Sequence, residues 1–396
     1  LHTAYRRQRQ MCIRDSFMLD KKMQVLLAAP NSGMVGGILR WTNNIYSYWT
    51  NNIEDNEISL SILDIARNRG GYYGQKHIQK ILWAVQDYGK ILLLSLKALK
   101  HSEAEIFHLT TPGTFRLWMD YILLKQAKSR KIKTIIHFRF GRIPQLFENK
   151  NWEYRILCKV VKLADRAIVI DKNSYDSLVS AGFKNIDLLP NPLTPSVAKM
   201  ISDNRDIVRK DNEIVFAGHV IPTKGVFELI EAIRNIKGIK LRIIGAVSED
   251  MKRRLLSEAG NGNETWLSIE GEYSQEKIIK AMLAAGVFVL PTYTEGFPNV
   301  ILESMACGCP IVTTDVGAIP EMLDIENGCN YGICVKPKDV DGLRNAVERM
   351  FNDRNYATIC GTNAQKRVVE QYSMPIVWSK LTTCLLYTSP SPRDRG

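Results

Sequence analysis

The 396-residue sequence contains no run of eighteen apolar residues. Its densest stretch, Ile91 to Leu99, is interrupted by Lys97, so no helix is expected to span a bilayer. The first residues lack the charged, apolar and small-residue order of a secretory leader. Among eight cysteines there is no CxxC and no His/Cys pair at ligand spacing, so a structural metal is not expected. Cys307 and Cys309 stand too close to pair easily with each other, and scattered cysteines in such segments suit a reducing compartment. Asp-x-Asp occurs at Asp339 and Asp341, in a turn before a helix, where capping accounts for it better than a metal ion.

Two end segments, Leu1–Ser16 and Cys384–Gly396, resemble translated sequencing-adapter sequence and show no periodicity of a packed element. They are set apart as artefactual tails. The net charge is +12. Residues 17–190 hold 25 basic and 15 acidic side chains, against 22 and 24 in residues 191–383, so the positive excess outside the tails belongs to the first half. Such asymmetry points one half toward an anionic partner, or marks a solvated lysine-rich surface. It includes KQAKSRKIK, Lys125 to Lys133, beside Phe115, Leu117, Trp118 and Tyr121, which form either an interfacial patch or ordinary core. The excess is confined to one half and accompanies no nucleic-acid-binding motif, so no nucleic acid is expected as partner.

What the sequence does contain is a repeated alternation of short apolar runs and helix-length amphipathic segments, the pattern of parallel α/β architecture. Strands are expected at 24–29, 58–63, 106–109, 134–138, 167–170 and 186–189. The pattern restarts with strands at 213–217, 241–244, 267–269, 287–290, 311–313 and 333–335. Helices are expected at 112–128 in the first half, and at 226–236, 249–258, 275–284, 299–306 and 342–351 in the second. Between the halves LLPNPLTP, Leu188 to Pro195, has the proline content of a hinge or linker. The expected domains are therefore 17–190 and 191–372, with a helix over 373–383 crossing back to the first.

Four motifs carry chemistry. In EGFPNVILE, Pro298 suits the start of a helix, whose first amides and dipole from Phe297 to Val300 favour an anion or sugar oxygens. Glu295 and Glu303 flank that terminus; a carboxylate there accepts paired hydrogen bonds from a vicinal diol, or acts as an ordinary helix-start residue. In FAGHVIPTKG a strand ends at Gly218, where a missing side chain admits a ligand, and Lys224 precedes a helix as a cation for a departing diphosphate. PNSGMVGGI supplies Gly33, Gly36 and Gly37 in a loop opening a helix, either a phosphate-approach loop or a plain turn. TIIHFRFGRIP ends a strand at His137, with Arg139 and Arg142 meeting phosphate or forming ion pairs. Asp171 reads as a cleft residue or as a helix N-cap.

The stretch TEGFPNVILESMACGCPIVTTDVGAIPEML, with its E-x7-E pair, small-residue helix ending in Gly308 and Gly317…Glu321 loop, resembles the retaining family 4 glycosyltransferases of the GT-B fold. Similarity in order and spacing runs from about Met23 to Trp378. The resemblance implies two Rossmann-like domains with parallel sheets facing across a cleft. It places Glu303 on the nucleotide ribose and Glu295 beside the donor sugar, with Gly296, Phe297, Pro298, Asn299 and Val300 around its hydroxyls and phosphates. It also places Gly36 and Gly37 at the cleft, His137 at the donor sugar, and Asn191 where relatives have an Asn-Gly turn. In this family an arginine accompanies Lys224; here His219 takes its position, and an imidazole is only a conditional cation.

Together these features predict a metal- and cofactor-independent glycosyltransferase, using a nucleoside-diphosphate sugar and a glycan or lipid-linked acceptor in bacterial capsule or lipopolysaccharide synthesis. Glu295, Lys224 and His137 are its expected catalytic residues. It is expected in the cytoplasm, peripheral to the inner face of the plasma membrane, with the basic half toward an anionic membrane surface. The alternatives are a nucleotide-sugar 2-epimerase of the same architecture and, in another class, a basic nucleic-acid-binding protein.

Overall fold

The computed structural model describes residues 22–33, 36–54, 57–67, 77–328 and 331–388. The expected tail 1–16 and the last eight residues, 389–396, lie outside them.

The first half alternates strand and helix. In order these are β1 (Met23–Ala29), α1 (Gly37–Asn51), β2 (Ile58–Asp64), α2 (His77–His101), β3 (Ile106–Thr111), α3 (Arg116–Ser129), β4 (Lys133–Phe138), α4 (Ile143–Asn149), α5 (Trp152–Leu163), β5 (Arg166–Val169), α6 (Lys172–Ser180) and β6 (Ile186–Leu188). The strands form one sheet in the order β2-β1-β3-β4-β5-β6, and β1 runs parallel to both β2 and β3. Nearly every residue of β1 and all of β3 are buried, which explains their unbroken apolar runs: a strand covered on both faces has no solvent side to alternate toward. The helix expected from Pro112 begins later, because Gly113 and Thr114 take positive φ (78° and 57°) and hold a loop open before Arg116.

The second half continues with α7 (Pro195–Ser202), β7 (Lys210–Ala217), α8 (Val226–Ile233), β8 (Lys240–Ile244), α9 (Glu249–Ala259), β9 (Leu267–Gly271), α10 (Gln275–Ala284), β10 (Ala285–Leu290), α11 (Asn299–Ala306), β11 (Ile311–Thr314), α12 (Ile319–Met322), β12 (Ile333–Val335), α13 (Val340–Asn352), α14 (Arg354–Arg367) and α15 (Met374–Thr388). Its sheet has the order β12-β11-β10-β7-β8-β9, all parallel. Helix starts follow local capping chemistry: Thr194, Ser248, Ser274 and Asp339 each accept a backbone N–H of the first turn. The core gathers Val215, Phe216, Ile243, Phe288, Val289 and Ile301 among many fully buried apolar side chains.

The chain divides into two compact units that do not follow the 190/191 junction. One comprises residues up to His137, Ile156–Ala167 and the residues from Thr382; the other comprises Phe138–Arg155 and Ile168–Leu381. Segments 138–155 and 168–190 join the second unit because Gly141, Asp171 and Lys172 pack on residues 295–321. The junction itself is no solvated linker. Pro190, Asn191 and Pro192 are buried, and Leu193 N–H donates to the Tyr372 carbonyl at 2.7 Å. Residues 384–388 belong to the segment set apart as an artefactual tail. They continue α15, and Cys384 and Leu385 are buried. No described helix is long and apolar enough to cross a membrane.

Candidate active site

Within the second unit, β10 delivers the chain to the loop 291–298. Tyr293 N–H donates to the Thr223 carbonyl at 2.9 Å, which ties this loop to the turn carrying Lys224. The loop closes at Pro298, in extended geometry (φ −74°, ψ 110°), and α11 starts at Asn299. The Pro298 carbonyl accepts the amides of Ile301 and Leu302, at 3.1 and 3.4 Å. The amides of Asn299 and Val300 precede any i−4 carbonyl of their own helix, so the terminus presents donors to an arriving acceptor. Phe297 is buried edge-on against Tyr372, with 5.7 Å between ring centroids.

Two glycines lie tightly against the Glu295–Gly296 backbone. Gly317, at φ +58°, lies so near that a Cβ would fall 2.3 Å from the Glu295 carbonyl oxygen, and a Cβ on Gly141 would fall 2.7 Å from Gly296 Cα. Ala318 N–H completes the clamp by donating to the Gly296 carbonyl at 2.8 Å. A side chain at either glycine would push this loop away.

The charged groups expected to contact a donor meet each other here. The Lys224 ammonium forms an ion pair with the Glu295 carboxylate, both side chains largely shielded from solvent. Glu303, half-buried on α11, accepts a hydrogen bond from Gln275 Nε2 at 3.0 Å. Tyr293 donates its hydroxyl to Glu228; burial, then that carboxylate, push the phenol pKa up to about 12. His219 is exposed just past the half-buried Gly218, whose N–H donates to Ile244 at 3.0 Å.

Asn191 is the hub of a second network. It accepts from Arg139 Nη2 at 2.6 Å and donates through Nδ2 to Asn299 Oδ1 at 2.9 Å and to the Phe297 carbonyl at 3.4 Å. Arg139 thus reaches the start of α11 through one amide, and desolvation lowers its guanidinium pKa. Arg142 pairs with the buried Glu153 and lies over the Phe140 ring, 4.3 Å from its centroid. Asp171 caps α6, accepting from Ser174 N–H at 2.8 Å and from Ser174 Oγ at 2.7 Å. Burial raises its pKa to about 6. Next to it, Lys172 N–H donates to Glu321 Oε2 at 2.8 Å, so the glutamate of the Gly317…Glu321 loop sits on the amide end of α6. A cavity of about 820 Å³ adjoins the loop, bounded by Gly141, Asn173, Tyr293, Glu295, Asp315 and Gly317.

The first unit holds the remaining expected residues. His137 is fully buried: its Nδ1 lies 3.2 Å from His108 Nε2, and the Trp41 ring packs edge-on at 5.0 Å between centroids. Its imidazole therefore packs among the core side chains of that unit. Gly36 and Gly37 open α1 in exposed positions where a Cβ would meet nothing within 4 Å, so local packing does not demand glycine there. Gly33 differs, with φ +85° and a Cβ position 3.2 Å from the Arg67 carbonyl. The Asp-x-Asp pair is locally engaged: Asp339 accepts Gly342 N–H at 2.8 Å as the cap of α13, and Asp341 pairs with Arg344 at 2.7 Å.

Gly141, Gln275 and Lys172 were not singled out from sequence. A glycine after an aromatic-arginine run carries no local mark of its partner, and Lys172 and Glu321 are 149 residues apart.

Residues 199–367 match the family described as "Glycosyl transferases group 1". The capsular polysaccharide biosynthesis glycosyltransferase CapM of Staphylococcus aureus is 28% identical over 208 residues, 50% of this chain and 50% of that protein. The chain thus spans about half the length of CapM, and a third to a half of the next sequence relatives. In three dimensions it is similar to sucrose-phosphate synthase from Thermosynechococcus elongatus (TM-score 0.69, 16% identity, 92% of this chain and 98% of that one). It is also similar to Anabaena HepE, whose structure is a complex with UDP (TM-score 0.66, 16% identity, 92% and 100%). At these identities the likeness concerns the fold, which is the GT-B type with two parallel six-stranded sheets.

Proposed function

We propose, from the match of residues 199–367 to the group 1 glycosyl transferases, that the chain moves a sugar from a nucleoside-diphosphate sugar to a glycan or lipid-linked acceptor. The product belongs to bacterial cell-surface polysaccharide, and the anomeric configuration is retained. UDP is the favoured leaving group, by analogy with the ligand of HepE.

The observation that carries this reading is the Lys224–Glu295 pair beside the open amides of α11. A diphosphate entering there gives Lys224 a stronger anion, and Glu295, released from the pair, accepts hydrogen bonds from the sugar hydroxyls. Asn299 and Val300 amides serve phosphate or sugar oxygens, together with the backbone of Gly296, Phe297 and Pro298. Glu303 turns from Gln275 to the ribose diol. His219 and the Gly218 backbone approach the diphosphate. In the reaction the bond between the anomeric carbon and the phosphate oxygen breaks as the acceptor oxygen attacks from the same face. The acceptor's proton passes to the departing phosphate oxygen, and the nucleoside diphosphate leaves with it. Lys224 and the amides stabilise the charge that develops on that phosphate, the contribution expected to dominate.

Arg139 and Asn191 act as positioning residues, fixing the start of α11, and Arg142 is held by Glu153. His137 is assigned no contact with sugar. No metal or organic cofactor enters the scheme. The reaction is assigned to the cytoplasmic side, at the inner face of the plasma membrane.

The test is acceptor dependence. With a UDP-sugar and a glycan or polyprenyl-phosphate-linked acceptor, UDP should be released only when the acceptor is present, and the product linkage should keep the donor's anomeric configuration. Interconversion of the sugar without any acceptor would instead mean an epimerase.

A further inference from the structure

A second cavity, of about 910 Å³, lies in the second unit where α11 ends rather than where it begins. Its size suits a small organic ligand. The walls come from α7 and the segment after it, the end of α10, the residues around Gly308, α14, and the wide helical turn Val368–Tyr372. Ile201, Leu283, Pro310 and Val368 give it buried apolar surface. None of the residues assigned to the donor or to catalysis lines it.

Set into these walls are four cations, Arg205, Arg209, Arg354 and Lys366, against one carboxylate, Glu370. Lys366 faces that carboxylate at 3.8 Å, and Arg354 is paired with Asp211, which lies outside the lining. Arg205 and Arg209 have no carboxylate partner among the described residues. For exposed Arg205 water suffices. Arg209 is half-buried, and its Nη atoms donate to four carbonyls: Met282 and Ala285 at 3.3 and 2.8 Å, and Cys307 and Gly308 at 2.9 and 3.1 Å. These carbonyls bring the partial negative charge of two helix ends but no full counter-charge, so the cavity keeps a positive balance. A ligand with an anionic head and an apolar body answers both parts of the lining.

The cavity and the donor loop are built on the same two elements. Helix α11 carries Asn299 at one end and Ala306 at the other, where Gln365 Nε2 donates to the Ala306 carbonyl at 2.9 Å. Val368 opens the turn that closes at Tyr372, whose ring packs on Phe297.

We propose that this cavity binds a small soluble organic anion, an apolar body with a phosphate or carboxylate head, and that its occupancy alters nucleotide affinity through α11 and the turn 368–372. The coupling rests on the donor site proposed above; the binding does not.

The experiment is isothermal calorimetry of the full chain with octyl phosphate and with octanoate, below micelle formation. The controls are octyl glucoside, which lacks the charge, and inorganic phosphate, which lacks the apolar body. At least one of the two amphiphilic anions should bind about tenfold or more tightly than both controls. Arg205→Glu should weaken that binding about tenfold. Ala198→Trp and Thr362→Trp, which enlarge exposed residues of the lining, should block it, with melting temperatures showing that the fold is intact. The saturating anion should shift the dissociation constant of UDP about fivefold or more, and UDP should shift that of the anion by the same factor. No binding by either anion, equal binding of octyl glucoside, or binding untouched by both tryptophan variants overturns the site. UDP affinity that is the same with and without the anion overturns the coupling. A chain that binds the anion but no UDP contradicts the donor reading and leaves the anion site standing.

Discussion

The Lys224 ammonium is paired with the Glu295 carboxylate, although the two residues are 71 positions apart and each is assigned to a different part of the donor. The pair keeps an isolated charge from standing in a partly desolvated site, and an anionic ligand can displace it at modest cost because both side chains keep some exposure to water.

The first prediction concerns that lysine. Lys224→Ala should lower kcat by about 10²–10³, the usual effect of removing one group that stabilises a developing oxyanion. It should leave the fold intact, since Lys224 lies on a short turn, Pro222–Lys224, that contributes no buried residue to the core. Steady-state kinetics beside a melting curve separate the two effects. An unaltered kcat would remove Lys224 from the diphosphate.

Gly317 makes a second test. Alanine there meets the Glu295 carbonyl and must also adopt φ near +58°. The substitution should destabilise the chain by about 1–3 kcal/mol and, by displacing Glu295, reduce turnover more than the stability loss explains. Chemical denaturation and kcat on the same preparation check this. A variant with full stability and full activity would show that the clamp is unimportant.

A third prediction follows from Asp171. Its folded pKa of about 6 exceeds the ordinary carboxylate value, because burial disfavours the charge more than the Ser174 hydrogen bonds favour it. Between about pH 4 and pH 6 the folded state holds a proton that the unfolded chain has lost, so this residue's contribution to stability falls as pH rises through that window. Asp120, raised to about 6 by burial in spite of Arg116, has the same sign. Asparagine caps a helix as well as aspartate does, so Asp171→Asn should gain stability relative to the parent on going from pH 4 to pH 7, by about 1–3 kcal/mol. Urea midpoints at the two pH values decide; a constant difference would mean that Asp171 does not titrate there.

His219 offers a gain of function. Arginine at this exposed position supplies a permanent cation near Gly218, so His219→Arg should tighten nucleotide-diphosphate binding about threefold to tenfold. Calorimetry with UDP reads it directly, and weaker binding would place His219 away from the phosphates.

Much of this architecture is legible in the sequence where the signals are local. Strand cores such as Val25–Ala29 and Phe288–Leu290 are continuous apolar runs because both faces are covered, and the starts of α9, α10 and α13 are written in Ser248, Ser274 and Asp339. The E-x7-E spacing and Lys224 also lead to one loop region. What the sequence leaves open depends on distant contacts. Nothing near Gly141 announces Gly296, and three prolines around Asn191 look like a solvated linker until Arg139 and Asn299 are seen to hold its amide. His137 stands at a strand end, a position that suits a ligand contact, yet Trp41 and His108 enclose it.

The most direct test of the central claim is donor binding by isothermal calorimetry, with UDP-, GDP- and ADP-sugars titrated into the chain and into Glu303→Ala. The account predicts micromolar binding of one donor and at least tenfold weaker binding in the variant, since a carboxylate on a ribose diol makes charge-assisted hydrogen bonds. Absence of binding across the panel by a folded chain, or equal affinity in Glu303→Ala, would contradict it.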